Sequence, residues 1–167
     1  MNKAEQSKER ISQALLRLLK KHEYQKITIQ DIVDEAQVSR MAFYRNYENK
    51  DQIMKDYLDK VTDDFIRNTQ IDYGKNDLGE YFDILIGHLV EHQEIGLTLV
   101  KAGLYDYMRA EFDRAYVARA KSKQETFNYY FLSGGVCNVY YYWLASGCKE
   151  SAEELTKILN QTLKQKI

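Results

Sequence analysis

Apolar residues recur every three or four positions along most of this chain, the spacing that paints one face of an α-helix. Ile11, Ala14, Leu15, Leu18 and Leu19 form a first stripe, which stops near residues 22–24. Thr28 followed by Asp31 is a capping pattern. It predicts a short second helix that turns Ile29, Ile32, Val33 and Ala36 inward. Gln37 and Val38 read as a tight turn, and Ser39 can cap a third helix. Asn49 followed by Gln52 starts a fourth, whose stripe runs through Ile53, Met54, Tyr57, Leu58, Val61 and Phe65. Residues 72–79, DYGKNDLG, have the Gly, Asn and Asp content of a linker. Helical spacing resumes at Leu78, Tyr81, Phe82, Leu85, Ile86 and Leu89, followed by segments near residues 93–101 and 103–117. Residues 123–147 are strongly aromatic, and the SAEE at 151–154 is a capping box for a last helix. The expected fold class is all-α, with three short N-terminal helices ahead of a larger helical body.

Composition agrees. The chain has no proline, so nothing in it forces long helices to break. Its 167 residues are enough for one or two small domains with a real core. The N-terminus is polar rather than signal-like, and no apolar run reaches membrane-spanning length, so a cytoplasmic protein with no membrane partner is expected. Residues 1–50 carry ten Lys/Arg against seven Asp/Glu, a balance of +3, and the rest carries fourteen against eighteen, a balance of −4. A polyanion would therefore meet the N-terminal third. Cys137 and Cys148 stand eleven apart, ~16 Å along a shared helix. That is too far for a bridge, so free thiols are expected, with intermolecular redox pairing as the alternative.

The stretch VSRMAFYRNYENKDQI, residues 38–53, carries the candidate chemistry. A short helix, a turn and a second short helix, with a supporting helix before them, make a helix-turn-helix. A step of ~100° per residue puts Phe43 and Tyr47 on one face, with Val38 arriving from the turn. Met41 and Arg45 fall opposite, and Arg40 and Tyr44 lie on the flank. Arginine can donate two hydrogen bonds to a guanine edge, and tyrosine or lysine can reach phosphate oxygens. Lys50 sits in the first turn of the fourth helix, where free N–H groups also favour phosphate. The competing reading is that these charges only solvate a helix. The agreement of supporting helix, turn and caps weighs against it.

At these residues the sequence resembles the TetR family of transcriptional regulators. TIQDIVDEAQVSRMAFYRNYENKDQI is similar to the family's DNA-binding signature, and the resemblance is specific over about residues 8–60. Further on, FLSGGVCNVYYYWLASGCKESAEEL is similar to a C-terminal variant of a subset of the family. Carried over residue by residue, the resemblance implies phosphate contacts at Thr28, Tyr44, Asn46 and Lys50. It implies base reading at Gln30, Ser39, Arg40, Met41 and Arg45. Residues at a recognition helix's N-terminus meet base edges first, which favours Arg40 over Arg45. Three positions depart from the pattern: Gln37 replaces a turn glycine, Asn46 a frequent histidine, and Met41 a commonly small residue. The resemblance further implies a DNA-binding domain over residues 1–50 and a helical ligand-sensing and dimerisation domain over residues 51–167. The expected protein is a homodimeric regulator, a repressor more than an activator. It would bind palindromic double-stranded operator DNA under control of a small-molecule effector.

In the body, Phe127, Tyr129, Tyr130, Phe131, Tyr140, Tyr141, Tyr142 and Trp143 surround one helix nearly all round, which indicates burial on more than one side. The resemblance implies that residues 123–166 pair with their copy, which would cover the excess, and Ser133, Gly134 and Gly135 would permit close approach or a kink. Tyr105, Tyr107, Met108, Tyr129 and Tyr130 are candidate pocket residues, with ordinary core as the competing reading. His88 and His92 share a helix face as two metal ligands can. With no third ligand evident, a surface or partly buried pair and no metal are expected, with a metal sensor as the minority alternative. The chain shows no Gly-rich phosphate loop, nucleophile elbow or tuned acid pair. No enzyme, catalytic residue or cofactor is therefore expected. The alternatives are a TetR-like protein-interaction module that does not bind DNA and, behind it, a small helical enzyme.

Overall fold

The computed structural model describes residues 3–69, 78–118 and 120–164. Within them the chain forms α1 (Lys3–Leu19), a single 3₁₀ turn (Tyr24–Lys26), α2 (Ile29–Ala36), α3 (Arg40–Asn46) and α4 (Lys50–Thr69). The body continues with α5 (Leu78–Glu91), α6 (Gln93–Lys101), α7 (Tyr105–Val117), α8 (Lys123–Ala145) and α9 (Ala152–Lys164). The described residues contain no strand. None of their helices is long and apolar enough to cross a membrane.

The helix starts sit where side chains can satisfy the first free N–H groups. Thr28 Oγ1 accepts from the Asp31 N–H at 3.1 Å, and the Asp31 carboxylate accepts from the Thr28 N–H at 2.8 Å, a reciprocal capping box. The Thr28 hydroxyl and N–H together hold the Asp31 carboxyl below its ordinary range. Ser39 caps α3 through the Ala42 N–H (3.1 Å), and Asn49 caps α4 through the Gln52 N–H (3.0 Å). Ser151 and Glu154 repeat the box before α9. Of the expected linker, residues 72–77 lie outside the described residues, while positions 78 and 79 already belong to α5.

Ile11, Ala14 and Leu15 of α1 are completely buried against α2, α3 and α4, together with Ile32 and Phe43. Helix α4 leaves this cluster and packs along α7 in the body, so one continuous helix joins the two parts. Helix α8 runs through the body against α6 and α7, and α9 lies on α5. At the α6–α8 crossing Gly96 is required by space, since a Cβ there would lie 2.7 Å from the Tyr140 hydroxyl and 2.8 Å from Leu144 Cδ1. Helix α8 ends at Ala145, ahead of two left-handed residues, Gly147 and Cys148 (φ +93° and +54°). Cys148 therefore lies beyond the helix that holds Cys137, and both thiols are free.

The turn between α2 and α3 also needs a left-handed residue. Gln37 fills it at φ +52°, ψ +48°, and its carbonyl accepts from Arg10 Nη2 at 2.9 Å. A side chain in this conformation costs ~1 kcal/mol that glycine does not incur. Gln37→Gly is accordingly expected to raise unfolding free energy by up to ~1 kcal/mol, read as a higher urea midpoint at unchanged slope.

Candidate nucleic-acid interface

Helix α3 is divided by burial. Phe43 and Tyr47 face inward at 0% and 4% exposure, while Met41 and Tyr44 are 75% and 58% exposed. The inner pair anchors the helix. Tyr47 donates to Asp56 of α4 at 2.7 Å, and the same carboxylate accepts from Lys8 of α1 at 3.1 Å. The outer face is thereby held at a fixed angle to α1 and α4.

Across that outer face runs a chain of polar contacts. Gln30 Nε2 donates to Asp34 at 2.7 Å, and Gln30 Oε1 accepts from Arg40 Nε at 2.7 Å. The contact fixes the Arg40 side chain through Nε and leaves its two Nη groups uncommitted among the described residues. Arg45 is exposed and makes no hydrogen bond or ion pair with the described residues. Tyr44 rests edge-on against Phe43, with ring centroids 5.4 Å apart. Gln30, Ser39, Arg40, Met41, Tyr44 and Arg45 are thus exposed side chains of α2, α3 and the turn between them.

The remaining expected contacts are placed differently. Thr28 is exposed, but its hydroxyl is engaged with Asp31. Asn46 is half-buried and donates to the Ala42 carbonyl at 2.7 Å and to Ser7 of α1 at 3.5 Å. Lys50 turns inward rather than presenting its ammonium outward. It donates to the carbonyls of Tyr24 (2.6 Å) and Ile27 (2.8 Å) and stands 4.3 Å over the Tyr24 ring. The 3₁₀ turn sets the Tyr24 carbonyl, which also accepts from the Ile27 N–H at 3.2 Å, and the Ile27 carbonyl beside an aromatic face that attracts a cation. Lys50→Ala would leave the Ile27 carbonyl and the ring without that partner. It is expected to lower stability by ~1.5–3 kcal/mol, measurable by denaturant unfolding without DNA.

In the body, α4, α5 and α7 enclose a narrow apolar cavity of about 100 Å³. Leu58 and Phe65 of α4, Leu85 and His88 of α5, and Met108 and Phe112 of α7 are among its walls. Of the five expected pocket residues only Met108 lines it. Tyr105 donates to the Cys137 carbonyl at 2.6 Å, Tyr107 lies beside Tyr24 and Asp51, Tyr129 is buried near Tyr116, and Tyr130 is 51% exposed. Beside the cavity, Arg114 of α7 bonds Glu111 at 2.7 Å and Asp63 of α4 at 2.8 Å, with Asp59 of α4 at 3.4 Å. Burial, then the neighbouring Asp59, pushes the Glu111 carboxyl upward.

His88 stacks on Phe65 with centroids 4.3 Å apart and meets His92 at 4.4 Å. Burial, with His92 adding, pushes His88 down to about 4. Beside this pair, Glu91 brings a carboxylate oxygen to the two imidazoles, and one such atom from each of the three side chains lies within 4.8 Å of the others.

A three-helix head with an exposed face on its third helix, joined by one helix to an all-helical body, is the helix-turn-helix arrangement. Residues 11–57 match the description "Bacterial regulatory proteins, tetR family", and residues 93–165 match "Transcriptional regulator C-terminal region". The chain belongs to the TetR family of transcriptional regulators. Among solved structures it is similar to a TetR transcriptional regulator from Streptococcus agalactiae, at 23% identity and TM-score 0.64 over 93% of this chain and 92% of that one. It is also similar to the dihydroxyacetone kinase operon activator DhaS, at 16% identity and TM-score 0.63 over 95% of both chains. A third similar structure is Thermus thermophilus FadR, a transcriptional repressor in complex with lauroyl-CoA, at 20% identity and TM-score 0.55 over 96% and 95%. No curated protein matches the sequence.

Proposed function

We propose that the chain is a homodimeric transcription repressor that binds a palindromic operator and is released by a small-molecule effector. The observation that carries the DNA-binding half is the outer face of α3, where Arg40 and Arg45 are exposed, form no ion pair with the described residues and are backed by a buried Phe43–Tyr47 anchor. Two such faces related by a two-fold axis read the two halves of a palindrome. Gln30, Ser39, Arg40, Met41 and Arg45 are assigned to base edges, and Thr28, Tyr44 and Asn46 to the phosphate backbone. Repression asks least of the protein, because occupying an operator excludes other proteins from it, whereas activation needs a further contact. The similar structures include both an activator and a repressor.

Control is assigned to the cavity between α4, α5 and α7. Its apolar walls suit the apolar part of an effector, and the similar FadR structure holds lauroyl-CoA. Helix α4 lines it through Leu58, Val61 and Phe65 and also holds the reading head through Asp56. An effector that favours one position of α4 therefore changes the separation of the two α3 helices. It can do so only by its difference in affinity for the two states.

The test is selection of binding sites from random duplexes, followed by gel shift. The expected site is a palindrome whose half-site centres lie about one helical turn or a multiple apart. Recovery of no sequence above background would support the protein-interaction alternative instead. For the control step, paired labels on α3 should change separation when an effector releases DNA. An unchanged distance would refute the swing of α4.

A further inference from the structure

The geometry points to a divalent transition-metal site at the corner between α5 and α6, with His88, Glu91 and His92 as its protein ligands. The three come from one five-residue run, HLVEH, at spacings that return to the same side of a helix. Helix α5 ends at Glu91, and the His92 N–H still donates to the His88 carbonyl at 3.1 Å, so the turn that carries all three ligands is closed. Two imidazoles and one carboxylate, with ligating atoms within 4.8 Å of one another, suit zinc and its first-row neighbours rather than magnesium or calcium. Around a tetrahedral ion with bonds of ~2.0–2.2 Å the ligand atoms must draw somewhat closer. Glu91 and His92 are exposed and free to do so, while His88 is held against Phe65.

Position gives the site a consequence. His88 and His92 are both walls of the apolar cavity, and His88 stacks on Phe65 of α4. Three protein ligands leave a coordination position open. Metal at this corner would fix the His88 ring against the helix that joins body to reading head. Coupling to DNA rests on the proposed role of α4, but metal binding itself does not.

The experiment uses the untagged full-length protein, stripped with chelator, reduced, and titrated with zinc chloride by calorimetry and with cobalt chloride by absorption. Wild type is expected to take up one ion per chain at micromolar concentration and to melt at a higher temperature with it. The cobalt spectrum should carry no thiolate charge-transfer band, which sets the site apart from Cys137 and Cys148. His92→Gln and Glu91→Gln change exposed side chains, so their metal-free melting should match wild type. Loss of an outer partner of a metal ligand costs ~10–100-fold in affinity. Losing a ligand itself should weaken zinc by at least the upper end of that range. No uptake by wild type, or equal uptake by wild type and His92→Gln, overturns the site. A cobalt spectrum dominated by thiolate overturns it as well. Zinc uptake without any effect on operator affinity would leave the site standing and remove its link to α4.

Discussion

Arg40→Ala is expected to weaken operator binding by ~1–3 kcal/mol per half-site, hence ~2–6 kcal/mol for a dimer, and to leave binding to scrambled duplex nearly unchanged. Arg40 is the first residue of α3, the end of a recognition helix that enters the groove first. Its Nε is held by Gln30, which is in turn held by Asp34, so the guanidinium meets DNA with part of its freedom already spent. Its two Nη groups remain for a base edge. Gln30→Ala should show a smaller loss of the same kind, because it releases the arginine without removing it. Arg45 has no such support, and its replacement should cost less on the operator than that of Arg40. Binding to operator and scrambled duplexes across a salt series checks this. If Arg40→Ala weakened both duplexes equally and lowered the salt slope by ~0.9 per half-site, Arg40 would be a phosphate contact and not a reader.

The parts of this site that could be read from sequence are those decided within a few residues. Thr28–Asp31, Ser39 and Asn49–Gln52 act over three positions, and the helical step alone separates buried Phe43 and Tyr47 from exposed Met41 and Tyr44. Lys50 was not legible in this way, because its direction is set by the carbonyls of Tyr24 and Ile27, which come from a different part of the chain. The pocket was missed for a related reason. A tyrosine at helical spacing suits core or cavity equally, and the crossing of α7 with α8 commits Tyr105 to the Cys137 carbonyl and buries Tyr129. The cavity forms instead at α4, α5 and α7, a three-way junction that no single helical stripe announces. The third member of the histidine cluster stood in plain sequence, as Glu91 beside His92.

Joint replacement of Phe127 and Phe131 by aspartate is expected to convert the protein to a monomer. Helix α8 divides its aromatics between two sides. Tyr129, Tyr140 and Trp143 are buried with Leu132 and Val136, whereas Phe127, Phe131 and Tyr142 are 63%, 73% and 72% exposed on the opposite side. Gly134 and Gly135 add open backbone there, with nothing within 4 Å of a Cβ at either, so a second helix can approach closely. Ile158 of α9 is a further exposed apolar residue. Exposed rings gathered on one side of a helix mark an interface, and a copy of the same surface satisfies a two-fold dimer. Burying a phenylalanine is worth ~1.5–3 kcal/mol, and the two-fold axis would place four such rings in the interface. Their loss removes at least ~6 kcal/mol, about four orders of magnitude in dissociation constant, before the repulsion of four new carboxylates is counted. The substituted residues already face solvent in the single chain, so helix content should be retained. Sedimentation should show a single species at monomer mass, and the gel shift should show independent, weak occupation of half-sites. A variant that still sediments as a dimer at micromolar concentration would place the interface elsewhere than on α8.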